Sequence, residues 1–132
     1  MRVLAVATIE KCAMLTRQLR PLDVEVVGAT HASDVAHRVQ AGETFEVAIL
    51  PAALPHMEWW ALWGELRLLN PRPSILVYAR NTTFQLWAGV LESGAYDLIA
   101  EPFSEEEIQD AVSRALRNFK NDENTPSQET ER

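Results

Sequence analysis

Residues 45–51 read Phe-Glu-Val-Ala-Ile-Leu-Pro, and this stretch indicates a strand inside a parallel sheet. The four consecutive apolar residues from Val47 to Leu50 are typical of a strand that is covered on both faces. Pro51 ends the run, because proline has no N–H to donate and is tolerated at a strand end. We therefore expect a buried strand whose carboxyl end is Pro51.

Apolar runs of the same kind recur along the chain and alternate with helical patterns. They predict further strands at 3–7, 24–27, 75–79 and 97–100. Between and after the strands, apolar residues at helical spacing predict five helices, separated by glycines and prolines. Strands that alternate with helices predict an α/β fold: a parallel sheet with right-handed crossovers and helices on both faces.

Polar residues indicate where the second and the last helix begin and where the folded domain ends. Ser33 is predicted to cap the second helix, and Ser104 with Glu107 forms the S-x-x-E capping box of the last one. Residues 121–132 are polar and lack periodicity. We therefore predict one domain over residues 1–120, followed by a disordered polar tail over 121–132.

The composition excludes several classes of protein. With 12 basic and 19 acidic residues the formal charge is 12 − 19 = −7, which argues against nucleic acid as a direct partner. No apolar run approaches the roughly 20 residues of a membrane helix, and the start of the chain has no signal-peptide pattern. A single cysteine, Cys12, forms neither an internal disulfide nor a multi-cysteine metal site. We expect a cytoplasmic protein with no membrane partner.

Binding sites in parallel sheets form where the strands end, so these segments decide the chemistry. The turn after the first strand, residues 7–10, contains no glycine, which argues against a dinucleotide site or a P-loop. A G-x-S-x-G nucleophile elbow is also absent from the sequence. The sequence therefore predicts no nucleotide cofactor at this edge.

The chain resembles the receiver domain of two-component response regulators over residues 2–119. The resemblance is carried by 45–50 with the loop Leu-Pro-His-Met-Glu at 54–58, by Gly-Ala-Tyr-Asp at 94–97, and by Glu-Pro-Phe-Ser at 101–104. It implies a three-layer, doubly wound flavodoxin-like sheet of five parallel strands in the order 2-1-3-4-5. It also implies a bacterial signalling role.

The receiver family accepts a phosphoryl group on an aspartate at the end of its third strand, beside a magnesium ion held by two acidic residues. Carried over by the resemblance, the acidic pair falls on Ala7 and Thr8 and the acceptor on Pro51. The family's lysine after the fifth strand falls on Glu101. Its hydroxyl residue falls on Ala79, or on Tyr78 in a second alignment, and the position is thus neither Ser nor Thr.

These replacements remove each part of the family's chemistry. Pro51 has no side-chain oxygen to act as a nucleophile. Ala7 and Thr8 offer no carboxylate to magnesium. Glu101 places an anion where phosphoryl charge needs a cation. We therefore interpret the chain as a degenerate receiver, or pseudo-receiver, with no catalytic residue, metal or cofactor, and we expect it not to be an enzyme.

A protein partner is the leading expectation for such a module. In the resembling family, the surface of the fourth helix, fifth strand and fifth helix makes dimers and partner contacts. In this sequence that candidate surface comprises Phe84, Trp87, Tyr96, Asp97, Arg114 and Arg117. We expect signalling without phosphorylation, through contact with a sensor kinase, an effector or a second copy of the chain, the last as a homodimer.

Two other functions remain open at this stage. The emptied pocket could bind a small ligand, with His56, Trp59, Glu10 and Glu101 as its lining, and His56 and Trp59 at its rim. Trp59 either fills that pocket or projects from it as a contact. The chain could also be phosphorylated on another residue, although no other carboxylate aligns with the end of the third strand.

Overall fold

A computed structural model describes residues 1–54 and 57–123, and within this part five parallel strands form one sheet. The strands are β1 (Arg2–Val6), β2 (Glu25–Ala29), β3 (Val47–Pro51), β4 (Ser74–Ala79) and β5 (Asp97–Ala100). The helices are α1 (Ile9–Gln18), α2 (Ala32–Gln40), α3 (Trp59–Leu66), α4 (Phe84–Glu92) and α5 (Glu105–Glu123).

The strand order across the sheet is β2-β1-β3-β4-β5, which confirms the predicted doubly wound topology. In the register, Leu4 of β1 lies between Val27 of β2 and Ala48 of β3, and Ile49 of β3 pairs with Leu76 of β4. All five residues of β3 are buried, and Pro51 is its last residue, as the apolar run predicted. The order places β3 at the centre, so its carboxyl end lies in the middle of one sheet edge.

Each face of the sheet carries its own hydrophobic core. Alternate side chains of β3 lie on opposite faces of the sheet. Val47 and Ile49 belong to one hydrophobic cluster, and Ala48 and Leu50 belong to the other. The first cluster includes Leu15 of α1 and the α5 residues Ile108, Ala111, Val112 and Ala115. The second includes Val35 of α2, Leu62, Trp63 and Leu66 of α3, and Val90 of α4. Two helices therefore cover one face and three cover the other.

Strand β2 extends past the predicted range, to Ala29, because Gly28 interrupts the apolar pattern without interrupting the strand. A Cβ built on Gly28 would lie 3.2 Å from the Cys12 sulfur, so the glycine lets α1 approach the sheet closely. Cys12 is half-buried, and burial raises the pKa of its thiol. The sequence rule favoured a shorter strand because glycine is rare in strand interiors.

The start of α2 differs from the prediction, since Ser33 lies inside the helix and His31 is the N-cap. The Asp34 carboxylate accepts hydrogen bonds from the backbone N–H groups of Thr30 and His31, both at 3.2 Å. These bonds lower the pKa of Asp34, with that from Thr30 the larger cause. The prediction of a Ser33 cap is wrong because the helix already begins at Ala32, and the Asp34 carboxylate at its third position binds the N–H of the N-cap residue.

The capping box of α5 is confirmed. The Ser104 N–H donates to Glu107 Oε1 at 2.7 Å, and the Glu107 N–H donates to Ser104 Oγ at 3.1 Å. The helix runs to Glu123, so residues 121–123 of the predicted tail are helical. The rest of that predicted tail, 124–132, lies outside the described residues.

The segment after β3 contains a feature that the sequence did not predict. Ala53–Leu54 and Met57–Glu58 pair as two short antiparallel strands, with Ala53 opposite Glu58. Helix α3 begins directly afterwards, at Trp59. Among the helices of the described part, none has the length and apolarity needed to cross a membrane.

Candidate functional site

The carboxyl edge of the sheet brings together the residues predicted to replace a phosphorylation site. Ala7 follows β1, Pro51 ends β3, and Glu101 follows β5. Ala7 is 1% exposed and Pro51 is buried. Backbone hydrogen bonds continue past the strand ends, from Ala7 N–H to Ala29 and from Glu101 N–H to Ala79. The ends of the strands are therefore fixed relative to one another.

Thr8, the second residue of the predicted degenerate acidic pair, has a local structural role. It is the N-cap of α1, and its hydroxyl oxygen accepts a hydrogen bond from the Lys11 N–H at 3.2 Å. Such a cap satisfies one of the backbone donors that a helix start leaves unpaired. Thr8 is exposed and starts the helix that carries Lys11 to the sheet edge.

An ion pair between Lys11 and Glu101 lies at this edge. The Lys11 ammonium donates to the Glu101 carboxylate, and the two side chains are only 22% and 13% exposed. The Lys11 nitrogen also lies 4.6 Å from the centroid of the Tyr78 ring, over whose face a cation is attracted. A cation and an anion of the chain itself therefore meet beside the end of the central strands.

The surroundings of Lys11 make Glu101 an important partner. Burial lowers the pKa of Lys11, and the nearby positive charge of Arg80 lowers it further. Both effects disfavour the ammonium form, whereas a carboxylate in direct contact favours it. No cluster of three or more potential metal ligands occurs among His, Cys, Asp and Glu residues of the described chain.

Tyr78 fills the space above the end of β3. It pairs with Pro51 in the register, is 5% exposed, and belongs to the core cluster on the α1–α5 face. Its hydroxyl donates to the carbonyl oxygen of Val6, the last residue of β1, at 3.0 Å, and β3 lies between β1 and β4. Burial raises the pKa of Tyr78, so the phenol stays neutral and keeps this hydrogen bond.

Neither candidate for the family's hydroxyl position presents a hydroxyl suited to hold a phosphoryl group. The Tyr78 hydroxyl is bound to the Val6 carbonyl oxygen, and Ala79, 9% exposed, pairs with Ala100 of β5. Both alignments considered from the sequence thus lead to the same chemical outcome.

The lining predicted for a ligand pocket is only partly described. His56 lies outside the described residues, and Trp59 begins α3 but its side chain is outside them too. Whether Trp59 fills the pocket stays a prediction. Of the two carboxylates, Glu10 is exposed and Glu101 is bound to Lys11. The ion pair therefore leaves a ligand only one of the predicted carboxylates.

The aromatic half of the predicted interaction surface lies on α4. Phe84 is 77% exposed and Trp87 45%, and their ring centroids lie 6.0 Å apart. On the opposite side of the helix, Val90 is buried and Leu86 packs against the core. The two aromatic rings thus form a contiguous apolar patch that the fold does not use.

The polar half lies on β5 and α5. Asp97 pairs with Arg114, whose terminal nitrogen is 3.5 Å from the carboxylate, and Arg114 also contacts Asp110 at 3.1 Å. Arg117 is exposed, whereas Tyr96 is half-buried and packs against the core on the α1–α5 face. Among the four residues of this polar half, the ion pair joins Asp97 to Arg114.

Lys11 and Tyr78 contribute contacts to the site that sequence reasoning missed. The predicted turn after the first strand, residues 7–10, ends one residue before Lys11. The signals were a basic residue in the first turn of α1, which follows the edge directly, and a buried tyrosine, whose hydroxyl requires a partner. Both features can be seen in the sequence, but the partners of Lys11 and Tyr78 lie at the ends of distant strands and are known only from the fold.

The comparisons with known proteins bear on the fold. No sequence model of a known family and no curated protein matches this chain. Solved structures of receiver domains do match it in three dimensions. A signal receiver domain from Vibrio parahaemolyticus superposes with a TM-score of 0.81 at 17% identity, covering 92% of this chain and 94% of the other.

Two further structures extend the comparison. A CheY-like response regulator receiver domain protein from Methanospirillum hungatei has a TM-score of 0.78 and 20% identity, covering 92% of this chain and 97% of that one. A CheY chemotaxis protein from Vibrio cholerae has a TM-score of 0.77 and 22% identity, with coverages of 87% and 98%. The chain therefore has the CheY-like receiver fold over nearly its whole described length.

Proposed function

We propose that this chain is a receiver-fold signalling module that does not accept a phosphoryl group and acts through contact with another protein. The observation that supports the proposal is the ion pair between Lys11 and Glu101 at the carboxyl edge of the sheet. The ammonium and the carboxylate neutralise each other where relatives of this fold hold a metal ion and a phosphoryl group.

Each partner of the ion pair opposes phosphoryl chemistry for its own reason. A phosphoryl group carries negative charge, so Glu101 would repel it unless a cation intervened. Lys11 is a cation, but it donates a hydrogen bond to Glu101 and its nitrogen lies 4.6 Å from the centroid of the Tyr78 ring. Pro51 at the end of β3 supplies no nucleophile. Together these residues favour a site that is occupied by the chain's own charges.

The exposed aromatic pair on α4 supports a role in protein contact. Phe84 and Trp87 expose large apolar surfaces on α4, and Asp97 of β5 pairs with Arg114 of α5. Tryptophan and arginine are enriched among residues that dominate binding energy at interfaces. The partner we propose is a protein of a two-component-type pathway: a sensor kinase, an effector, or a second copy of this chain as a homodimer.

Without a phosphoryl group, the module has no ligand at the edge to shift it between two conformations. A switch requires a ligand whose affinity differs between the two states. We therefore propose that the contact surface is formed constitutively. Control of the signal then comes from the amount or location of the protein, or from its partner.

A cross-linking experiment tests both parts of the proposal. A photo-reactive amino acid replaces Trp87, and the purified chain is irradiated in a lysate of its source cells, with or without acetyl phosphate and magnesium. We expect one discrete cross-linked protein, or a cross-linked dimer of the chain, in equal yield under both conditions. Mass spectrometry of the adduct identifies the partner and the contact peptide.

A matched control places the same photo-reactive group at Arg17, an exposed residue of α1 on another part of the surface. The discrete adduct should be absent from this control and lost from the Trp87 probe when Phe84→Ser is added. Equal adducts at both positions would contradict the proposed surface. A yield that depends on acetyl phosphate would contradict independence from phosphorylation.

A further inference from the structure

A cleft lies at the opposite end of the sheet from the Lys11–Glu101 ion pair. Its volume is about 860 Å³, and it lies at the amino end of β4. The residues after α3 form one side, and the turn before β5 and Asn118 of α5 form the other. Its volume falls within the roughly 300–1,000 Å³ typical of small-molecule sites.

The cleft is basic although the chain is acidic. Arg67 and Arg72 line it, and none of its described lining residues is acidic. The ion pairs found in the described part of the chain involve neither arginine. The Arg72 guanidinium lies 6.0 Å from the centroid of the Trp63 ring. Two exposed arginines thus line one cleft, and neither forms an ion pair with a carboxylate of the described chain.

The base of the cleft is polar and fixed. Ser74 is 7% exposed, and its hydroxyl oxygen accepts a hydrogen bond from Asn118 Nδ2 at 3.0 Å. Since this bond uses the oxygen as an acceptor, the Ser74 proton can be donated to a ligand. The fixed pair adds a neutral donor to the two cations.

One wall of the cleft depends on Gly94. The residue has a φ of 105°, a left-handed conformation that favours glycine. A Cβ added there would lie 3.2 Å from an atom of the Trp63 ring. The glycine therefore lets the turn before β5 lie directly against Trp63, and together they close one side of the cleft.

We propose that this cleft binds a phosphorylated small molecule of about nucleotide size. Guanidinium groups bind phosphate oxygens through paired N–H donors, and two of them favour a diphosphate over a single charge. The volume admits a further group beyond the phosphates. The cleft shares only Tyr96 with the candidate contact surface and shares no residue with the ion pair, so this proposal is independent of the proposed function.

The experiment is an NMR titration of the ¹⁵N-labelled chain with ADP, and with adenosine as a probe that lacks the phosphates. We expect saturable shifts of the Trp63 indole and of the Gly94 and Ala95 amides, with a Kd below about 1 mM. Adenosine should leave these signals unchanged. Arg67→Gln and Arg72→Gln should each weaken ADP binding about tenfold, the loss expected for a charge-assisted hydrogen bond.

Arg17→Gln is the matched control, since it removes the same charge from an exposed site on α1. It should change the Kd less than twofold. Equal weakening by this control would indicate general charge attraction and overturn the proposal. Shifts that do not saturate, or that centre on Ala7 and Ala79 at the other edge, would overturn it as well.

Discussion

At the scale of single residues, the resemblance to receiver domains implies a reversal of charge at the sheet edge as well as losses. By this resemblance Glu101 falls where the family has lysine, and its ion-pair partner is Lys11, from the helix that follows β1. A lost carboxylate alone would leave an empty pocket. The ion pair instead joins α1 to the segment that follows β5.

The reversal leads to a prediction about Glu101→Lys, the substitution that would restore the family's residue. Placing a second ammonium against Lys11, whose side chain is only 22% exposed, should lower the free energy of unfolding by about 1–3 kcal/mol. The double variant Lys11→Glu with Glu101→Lys should recover most of that loss, since it restores opposite charges. Urea unfolding followed by tryptophan fluorescence measures both.

The control for these charge-reversal variants is Glu92→Lys, the same substitution at an exposed position at the end of α4. Its free energy of unfolding should stay within about 0.5 kcal/mol of the original chain. Additive effects of Lys11→Glu and Glu101→Lys in the double variant would show that the two side chains do not interact, and the site described above would then be wrong.

At the scale of elements, the helix starts show which local signals can be read from sequence. The box of Ser104 and Glu107 was predicted because both partners lie within one helical turn. The N-cap of α2 was mispredicted because serine is common at caps and histidine is not, while the decisive acceptor was the Asp34 carboxylate. Residue type alone does not identify the N-cap when a carboxylate in the first helical turn can bind backbone N–H groups at the start of the helix.

We predict that Ser104→Ala destabilises the protein by about 1 kcal/mol, because the N–H of Glu107 loses its acceptor at the start of α5. Thermal unfolding followed by circular dichroism, with urea titration for the free energy, measures the change. Ser113→Ala, within the same helix, is the matched control and should be neutral or slightly stabilising, since alanine has the higher helix propensity. An equal loss in both variants would refute the role of the cap.

At the scale of the whole molecule, the sequence was sufficient for the sheet but not for the contacts at its edge. The apolar run at 47–50 and its counterparts predicted five strands, and the resemblance supplied their order, because burial on both faces leaves a strong local pattern. The pair of Lys11 and Glu101 joins residues 90 positions apart. Each is an ordinary charged residue until the fold brings them together, so no local pattern could identify the pair.

The same reasoning predicts that phosphoryl acceptance cannot be restored at one position. Pro51→Asp supplies a nucleophile, but the edge would still lack a metal-binding pair and would keep Glu101 beside it, so acetyl phosphate with magnesium should leave this variant unmodified. A combined variant that also carries Ala7→Asp, Thr8→Asp, Lys11→Ala and Glu101→Lys should take up one phosphoryl group, detected by intact-protein mass spectrometry.

Circular dichroism establishes that both variants are folded, and beryllofluoride with magnesium gives an independent readout by NMR. Saturable shifts at Ala52 and neighbouring amides are expected for the combined variant alone. Phosphoryl transfer to Pro51→Asp alone would show that the ion pair is no obstacle to the chemistry. A folded combined variant that stays unmodified would show that residues left unchanged, such as Tyr78 with its hydrogen bond to Val6, also close the site. The account of charge reversal as the decisive change would then fail.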